Sequence, residues 1–202
     1  MTRHLLLALA LIGSAAVPLH AQRPAKGIVP VRITTDLGII DVDLDSAHAP
    51  VTVTNFLRYV DAGAYANGRF HRTVTPNNQP RDSVRIQVIQ GGPNPERDGA
   101  RWPAIPLERT SVTGLTHVDG AISMARGGPD TATSDFFLCV GAQPSLDFGG
   151  HRNLDGQGFA AFGRVTKGMD IVRSIQQQPA TGTNPQTLTP AVRIQQISRI
   201  VR

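Results

Sequence analysis

The sequence predicts a mainly β fold, a barrel or sandwich covered by two helices. Short apolar runs recur along the chain between Gly, Pro, Asp and Asn residues, as many short strands joined by turns would. Two stretches have a helical pattern of apolar residues instead. A length of 202 residues with 40% hydrophobic content provides one well-buried core and is short for two. No internal repeat or linker divides the chain.

Taken in order, Val31 to Leu44 reads as two strands around Asp36-Leu37-Gly38, and the Gly suits a hairpin turn. In the second strand Ile40, Val42 and Leu44 share one face, and Asp41 and Asp43 the other. Pro50 begins a helix. Val53, Phe56, Leu57 and Val60 fall at i, i+3, i+4 and i+7, with Pro50 in the first turn and Gly63 past the end. Strand-like runs follow at Phe70 to Val74, Val84 to Gln90, Ala121 to Ala125, Phe136 to Val140, Ala160 to Val165 and Val192 to Val201. A second helix is predicted from about Lys167 to Gln177, with Met169, Val172 and Ile175 toward the core.

The N-terminus has a separate meaning. Arg3 and His4 precede the apolar stretch Leu5 to Leu19, which Gly13 and Pro18 interrupt, and Ala21 supplies a small residue before Gln22. This is the three-part pattern of a secretory signal peptide over 1–21, with an apolar core too short to span a bilayer. The expected mature chain has a polar lead-in over 22–29 and one domain over 30–202. Its expected location is the periplasm, or beyond it by secretion, with no stable membrane association once the leader is cleaved.

Cys139 is the only cysteine, so an intramolecular disulfide is impossible. Its neighbours Phe136, Phe137, Leu138 and Val140 put it in a buried strand, where a thiol is inert. The formal charge of +5 becomes +4 when Arg3 leaves with the leader. That surplus forms no basic run, which argues against a nucleic-acid surface and fits a role in solubility. Gly-x-Ser-x-Gly, HExxH and Gly-x-x-x-x-Gly-Lys patterns are all absent, so hydrolase, zinc and phosphate-loop chemistry find no support.

The most informative segment is Ile122 to Cys139, two apolar ends joined by a polar stretch containing Gly127-Gly128-Pro129. It follows Phe70-His71-Arg72 and Gln90-Gly91-Gly92. These three elements in this order, in a likeness running from about Val31 to Val201, resemble the cyclophilin family of peptidyl-prolyl isomerases. The resemblance implies a closed eight-stranded antiparallel barrel with an α-helix over each open end, a side-chain-packed interior and an active groove on the outer surface. It also implies a monomer without cofactor or metal, which rotates X-Pro bonds in unfolded or partly folded polypeptides.

The resemblance assigns roles residue by residue. Arg72 matches the Arg that donates to the imide nitrogen, and Gln90 the amide that holds the substrate backbone and helps position that Arg. Phe137 matches the pocket floor, and strand alternation then sends Phe136 to the core. Ala125, Arg126 and Gly127 match the segment whose backbone lies against the bound peptide, and Leu146 and Phe159 match pocket walls. His71 is read as structural, because rotation transfers no proton.

Several positions depart from the family pattern. Gln87 stands for a pocket Phe, Val88 for Met, Asp135 for Gln, Ser145 for Trp or Phe, and Phe159 for His or Tyr. Fewer aromatics predict a shallower, less apolar pocket and weak cyclosporin binding. Asp135 is within reach of pairing with Arg72 or Arg126, and the sequence leaves that choice open. Two polar loops, Pro76 to Asp82 and Ser145 to Phe159, exceed the length of a compact member and are expected to border the groove. The departures at Gln87, Asp135 and Ser145 also keep open a second function, a non-catalytic chaperone or assembly factor that grips proline-containing segments. If the leader reading is right, N-terminal sequencing of the native protein will start near Gln22; an intact Met1 would overturn it.

Overall fold

The computed structural model describes residues 26–80, 82–95, 102–181 and 183–201. The signal-peptide reading over 1–21 and the first part of the lead-in lie outside the described residues. Strand β1 (Ile28–Thr35) turns into β2 (Gly38–Asp45), with Thr35 opposite Gly38. The Thr35 hydroxyl accepts the backbone N–H of both Leu37 and Gly38 at 3.1 Å. Gly38 takes φ +143°, and a Cβ there would come within 2.6 Å of the Ile171 side chain. Ile40, Val42 and Leu44 are buried, as their alternation predicts. On the other face Asp41 accepts Nε and Nη2 of Arg32 at 2.7 and 2.9 Å.

Helix α1 (Pro50–Asp61) buries the expected Val53, Phe56, Leu57 and Val60. Its N-cap residue, Ala49, has no capping side chain. Glu108 takes that role from a distant loop, its carboxylate accepting the backbone N–H of Thr52 at 2.7 Å and of Val51 at 3.1 Å. Both the unpaired amides and the helix dipole favour an anion at this end.

The remaining elements are β3 (Gly68–Val74), β4 (Val88–Gly92), a one-turn α2 (Thr110–Thr113), β5 (Ala121–Met124), β6 (Phe136–Cys139), β7 (Ala161–Lys167), α3 (Met169–Gln176) and β8 (Thr187–Arg199). Their spatial order β1-β2-β7-β5-β6-β4-β3-β8 closes a barrel that is antiparallel at every junction. Helix α1 packs against β2 and β8, and α3 against β2, β3 and β4. The interior holds tilted and edge-to-face rings. Phe56 lies 5.3 Å from Tyr65, 5.3 Å from Phe162 and 5.5 Å from Phe136, and Phe136 lies 5.8 Å from Phe70.

Three details differ from the sequence expectation. Helix α2 is additional, a single turn ended by Gly114 at φ +72°. The run from Val84 joins the ladder only at Val88, because a side chain takes the place of a partner strand there. Gln79, itself buried, accepts the N–H of Ile86 at 3.1 Å and donates to its carbonyl at 2.8 Å. Strand β8 starts at Thr187 rather than Val192, since Thr187 already pairs with Arg72.

The position of Arg72 depends on an irregularity. Against β4, Phe70 and Arg72 pair with the consecutive Gly91 and Gln90, which leaves His71 as an extra residue, while against β8 the irregularity lies in β8, between Thr187 and Val192. Regular alternation would place Phe70 and Arg72 on one face. The bulge reverses parity. Phe70 therefore lies in the core, and Arg72 faces outward beside the separate apolar layer that includes Val74, Val88 and Phe137.

Phe136 joins the rings of α1, β3 and the Tyr65 loop at full burial. Phe136→Ala is expected to cost about 3–5 kcal/mol, read as a lower urea midpoint in unfolding followed by circular dichroism.

Candidate active site

Strand register brings the site together. Arg72 on β3 stands opposite Gln90 on β4, Gln90 opposite Phe137 on β6, and Phe137 opposite Ser123 on β5. The four form one row across the outside of the barrel. Beside this row lies a pocket of about 260 Å³, walled by the apolar side chains of Ile86, Val88, Phe137, Leu146 and Phe159 and edged by Arg72, Gln90 and Arg152.

Arg72 is held by two neutral amides. Its Nη1 donates to Gln90 Oε1 at 2.9 Å, and its Nε and Nη2 donate to Gln186 Oε1 at 2.9 and 2.7 Å. A guanidinium has five N–H donors, so these three bonds leave one on each terminal nitrogen. Burial, followed by repulsion from Arg152, lowers the Arg72 pKa from its ordinary value. Arginine nonetheless keeps its charge in proteins. Among the described residues no carboxylate forms an ion pair with it.

Asp135 settles the orientation of Gln90. The Gln90 amide nitrogen donates to Asp135 Oδ2 at 3.2 Å. An ionised carboxylate only accepts, so the NH₂ end must face Asp135 and the carbonyl end must face Arg72. Asp135 also lies 3.6 Å from His71 Nε2. Burial lowers the His71 pKa and the Asp135 charge opposes that shift.

Phe137 rests on a buried polar support. His117 stacks beneath it at 5.9 Å, donates through Nδ1 to the Asp147 carboxylate at 2.7 Å, and meets the Ser123 hydroxyl through Nε2 at 3.0 Å. This order of groups is that of a hydrolase triad, but Ser123 is completely buried and no scissile carbonyl can approach its Oγ. Phe159 closes the pocket edge-on to Phe137 at 5.4 Å. The Arg126 guanidinium lies 4.9 Å above the Phe159 ring and is paired through both terminal nitrogens with Asp155 at 2.7 and 2.9 Å. Cys139, as expected, is fully buried, and desolvation pushes its thiol pKa far above the ordinary value.

Arg72, Gln90, Val88, Phe137, Ala125, Arg126, Leu146 and Phe159 all line the pocket, as the sequence proposes. Three proposed residues do not. Gln87 lies between Ile86 and Val88, which both point inward, so its own side chain falls on the opposite face. Asp135 sits behind Gln90 and faces a second hollow with Arg69 and His71, pairing with neither Arg72 nor Arg126. The backbone N–H of Gly127 is taken by the Thr131 hydroxyl at 3.1 Å, outside the pocket.

Sequence reasoning missed Ile86, Arg152, Asn153, Gln186 and His117. Ile86 was findable, two residues before Val88 on the same face. Its apolar wall offsets the loss expected from Gln87. Gln186 carried no signal, being 114 residues from Arg72. Both long loops do border the site. Arg152 and Asn153 line the pocket, while Asn78 and Gln79 contact Gln186 and Arg152. Among the described residues no group of three or more His, Cys, Asp or Glu could hold a metal ion.

Comparison with known proteins agrees with this geometry. The family model described as cyclophilin type peptidyl-prolyl cis-trans isomerase/CLD matches residues 30–199. Peptidyl-prolyl cis-trans isomerase A of Dickeya dadantii is 34% identical over 162 residues, covering 80% of this chain and 78% of that protein. Peptidyl-prolyl cis-trans isomerase B of Escherichia coli is 33% identical over 147 residues, covering 72% and 83%. A crystal structure of a Cryptosporidium parvum cyclophilin type peptidyl-prolyl cis-trans isomerase shares the fold. It has a TM-score of 0.68 at 22% identity, covering 87% of this chain and 99% of that one.

Gln186→Ala removes the acceptor for two Arg72 bonds while leaving the barrel ladder intact. It is expected to lower X-Pro turnover about ten- to a hundredfold through misplacement of the guanidinium, measured by NMR exchange on a proline peptide.

Proposed function

The chain belongs to the cyclophilin type peptidyl-prolyl cis-trans isomerases and accelerates rotation about X-Pro bonds; we propose that it does so on unfolded or partly folded polypeptides exported to the periplasm, with Arg72 as the catalytic donor. An amide resists rotation with a barrier of roughly 18–20 kcal/mol, because the nitrogen lone pair is shared with the carbonyl. At the half-turned state the nitrogen regains that lone pair and becomes a hydrogen-bond acceptor. A fixed cationic donor beside it favours the twisted state over either planar one.

The observation that carries this role is the immobilised guanidinium with two donors to spare at the edge of an apolar pocket. Val88, Phe137, Leu146 and Phe159 offer the proline ring a dry seat. Gln90, oriented by Asp135, sets the angle of Arg72. The Ala-Pro dipeptide present in a second crystal structure of the Cryptosporidium parvum protein, at TM-score 0.67 and 22% identity over 86% of this chain and 99% of that one, supports the choice of ligand class. The periplasmic setting rests on the leader pattern of residues 1–21.

Removing one preorganised donor in other enzymes costs about 10²–10³ in turnover. Arg72→Ala should lower prolyl turnover in a protease-coupled assay by that factor. Arg72→Lys should not restore it, since a single ammonium nitrogen cannot reproduce the planar fork that bonds Gln90 and Gln186 from different nitrogens and holds a further N–H toward the imide. Equal activity of wild type and Arg72→Ala would refute the assignment.

A further inference from the structure

Three guanidinium groups line the pocket, those of Arg72, Arg126 and Arg152, and no carboxylate does. Their compensation is uneven. Arg126 is matched by a bidentate bond to Asp155, and Arg72 has only neutral partners. Arg152 lies between these extremes. Its side chain is 14% exposed, and its Nη1 alone meets Asp82 Oδ2 at 3.0 Å, Val84 carbonyl oxygen at 2.7 Å and Gln79 Oε1 at 3.2 Å. Among the described residues its Nε and Nη2 have no partner. It is therefore anchored on one corner, with two nitrogens left for solvent or a ligand.

Position along the barrel gives this cation a use. Val84 and Ile86, beside Arg152, lie before the start of β4, while Ala125 lies at the far end of β4, bonded to the Asp135 carbonyl. Arg72 and Gln90 stand between them. A peptide whose proline occupies the seat beside Arg72 and whose chain passes Ala125 on one side must pass Arg152 on the other. Arg72 and Arg152 repel one another across this stretch with Asp82 as their shared counter-charge, and an anionic group on the peptide would add to that compensation.

The geometry points to Arg152 as a specificity-determining residue, which takes the carboxylate of a Glu or Asp flanking the substrate proline. This rests on the assignment of the Arg72 pocket as the isomerase site. A charge-assisted hydrogen bond in a partly buried site is consistent with a preference of about five- to tenfold. Asp82 competes with the substrate for the same guanidinium, so the loop of residues 76–82 sets the size of the preference.

The test compares peptides with Glu or Gln immediately before and immediately after proline, using NMR exchange for turnover and chemical-shift titration for Kd. The wild type is expected to favour Glu five- to tenfold at one of the two positions, less at high salt. Arg152→Gln should bring that ratio to about one, Arg152→Lys should retain part of it, and Asp82→Asn should raise it. Ratios within each variant are unaffected by loss of folded protein. A wild-type ratio near one at both positions, or a ratio unchanged in Arg152→Gln and Asp82→Asn, overturns the proposal. Slow turnover of both the Glu and Gln peptides by the wild type would count against the Arg72 pocket as the isomerase site, while the Kd ratio would still report on Arg152.

Discussion

The site depends on a cation held by uncharged oxygens. Gln90 and Gln186 fix the Arg72 guanidinium from two sides without neutralising it. Had a carboxylate done this, much of the field at the pocket edge would have been spent inside the protein. Two carboxylates lie nearby, and each is held by another group: Asp82 by Arg152, and Asp135 by the Gln90 amide. Asp135 orders the Gln90 amide and leaves the charge of Arg72 available.

The sequence made the elements legible but not their facing. Alternation correctly sent Phe136 inward and Phe137 outward, because β6 is regular. The same rule applied to β3 would have buried Arg72 with Phe70, and only the extra residue His71 prevents it. Nothing local in Phe70-His71-Arg72 announces a bulge; it is set by the pairing with β4. Gln186 was hidden for a related reason. Barrel closure by β8 brings it to Arg72 across most of the chain, a contact no spacing rule contains. Ile86 and Gln87 illustrate a smaller error, of one residue, which in a β segment exchanges pocket for exterior.

The two long loops form a single structure around the pocket. Gln79 takes both backbone groups of Ile86 and so holds a wall residue where no neighbouring strand reaches. Arg152 joins that loop from the other side through Asp82 and Gln79. Asn78 accepts Gln186 Nε2 through its carbonyl at 3.2 Å, which leaves the Gln186 oxygen for Arg72. The loops thus steady the apolar wall and the guanidinium together.

Because the cylinder is filled solid with apolar side chains, its inner and outer surfaces present separate problems to mutation. Neighbouring residues such as Phe136 and Phe137 answer to different demands, the first to cohesion and the second to ligand fit. Changes at alternate outward positions share few partners with the core and should combine with core changes nearly additively. Such a scaffold lets its groove be rewritten while its thermodynamic foundation is left alone.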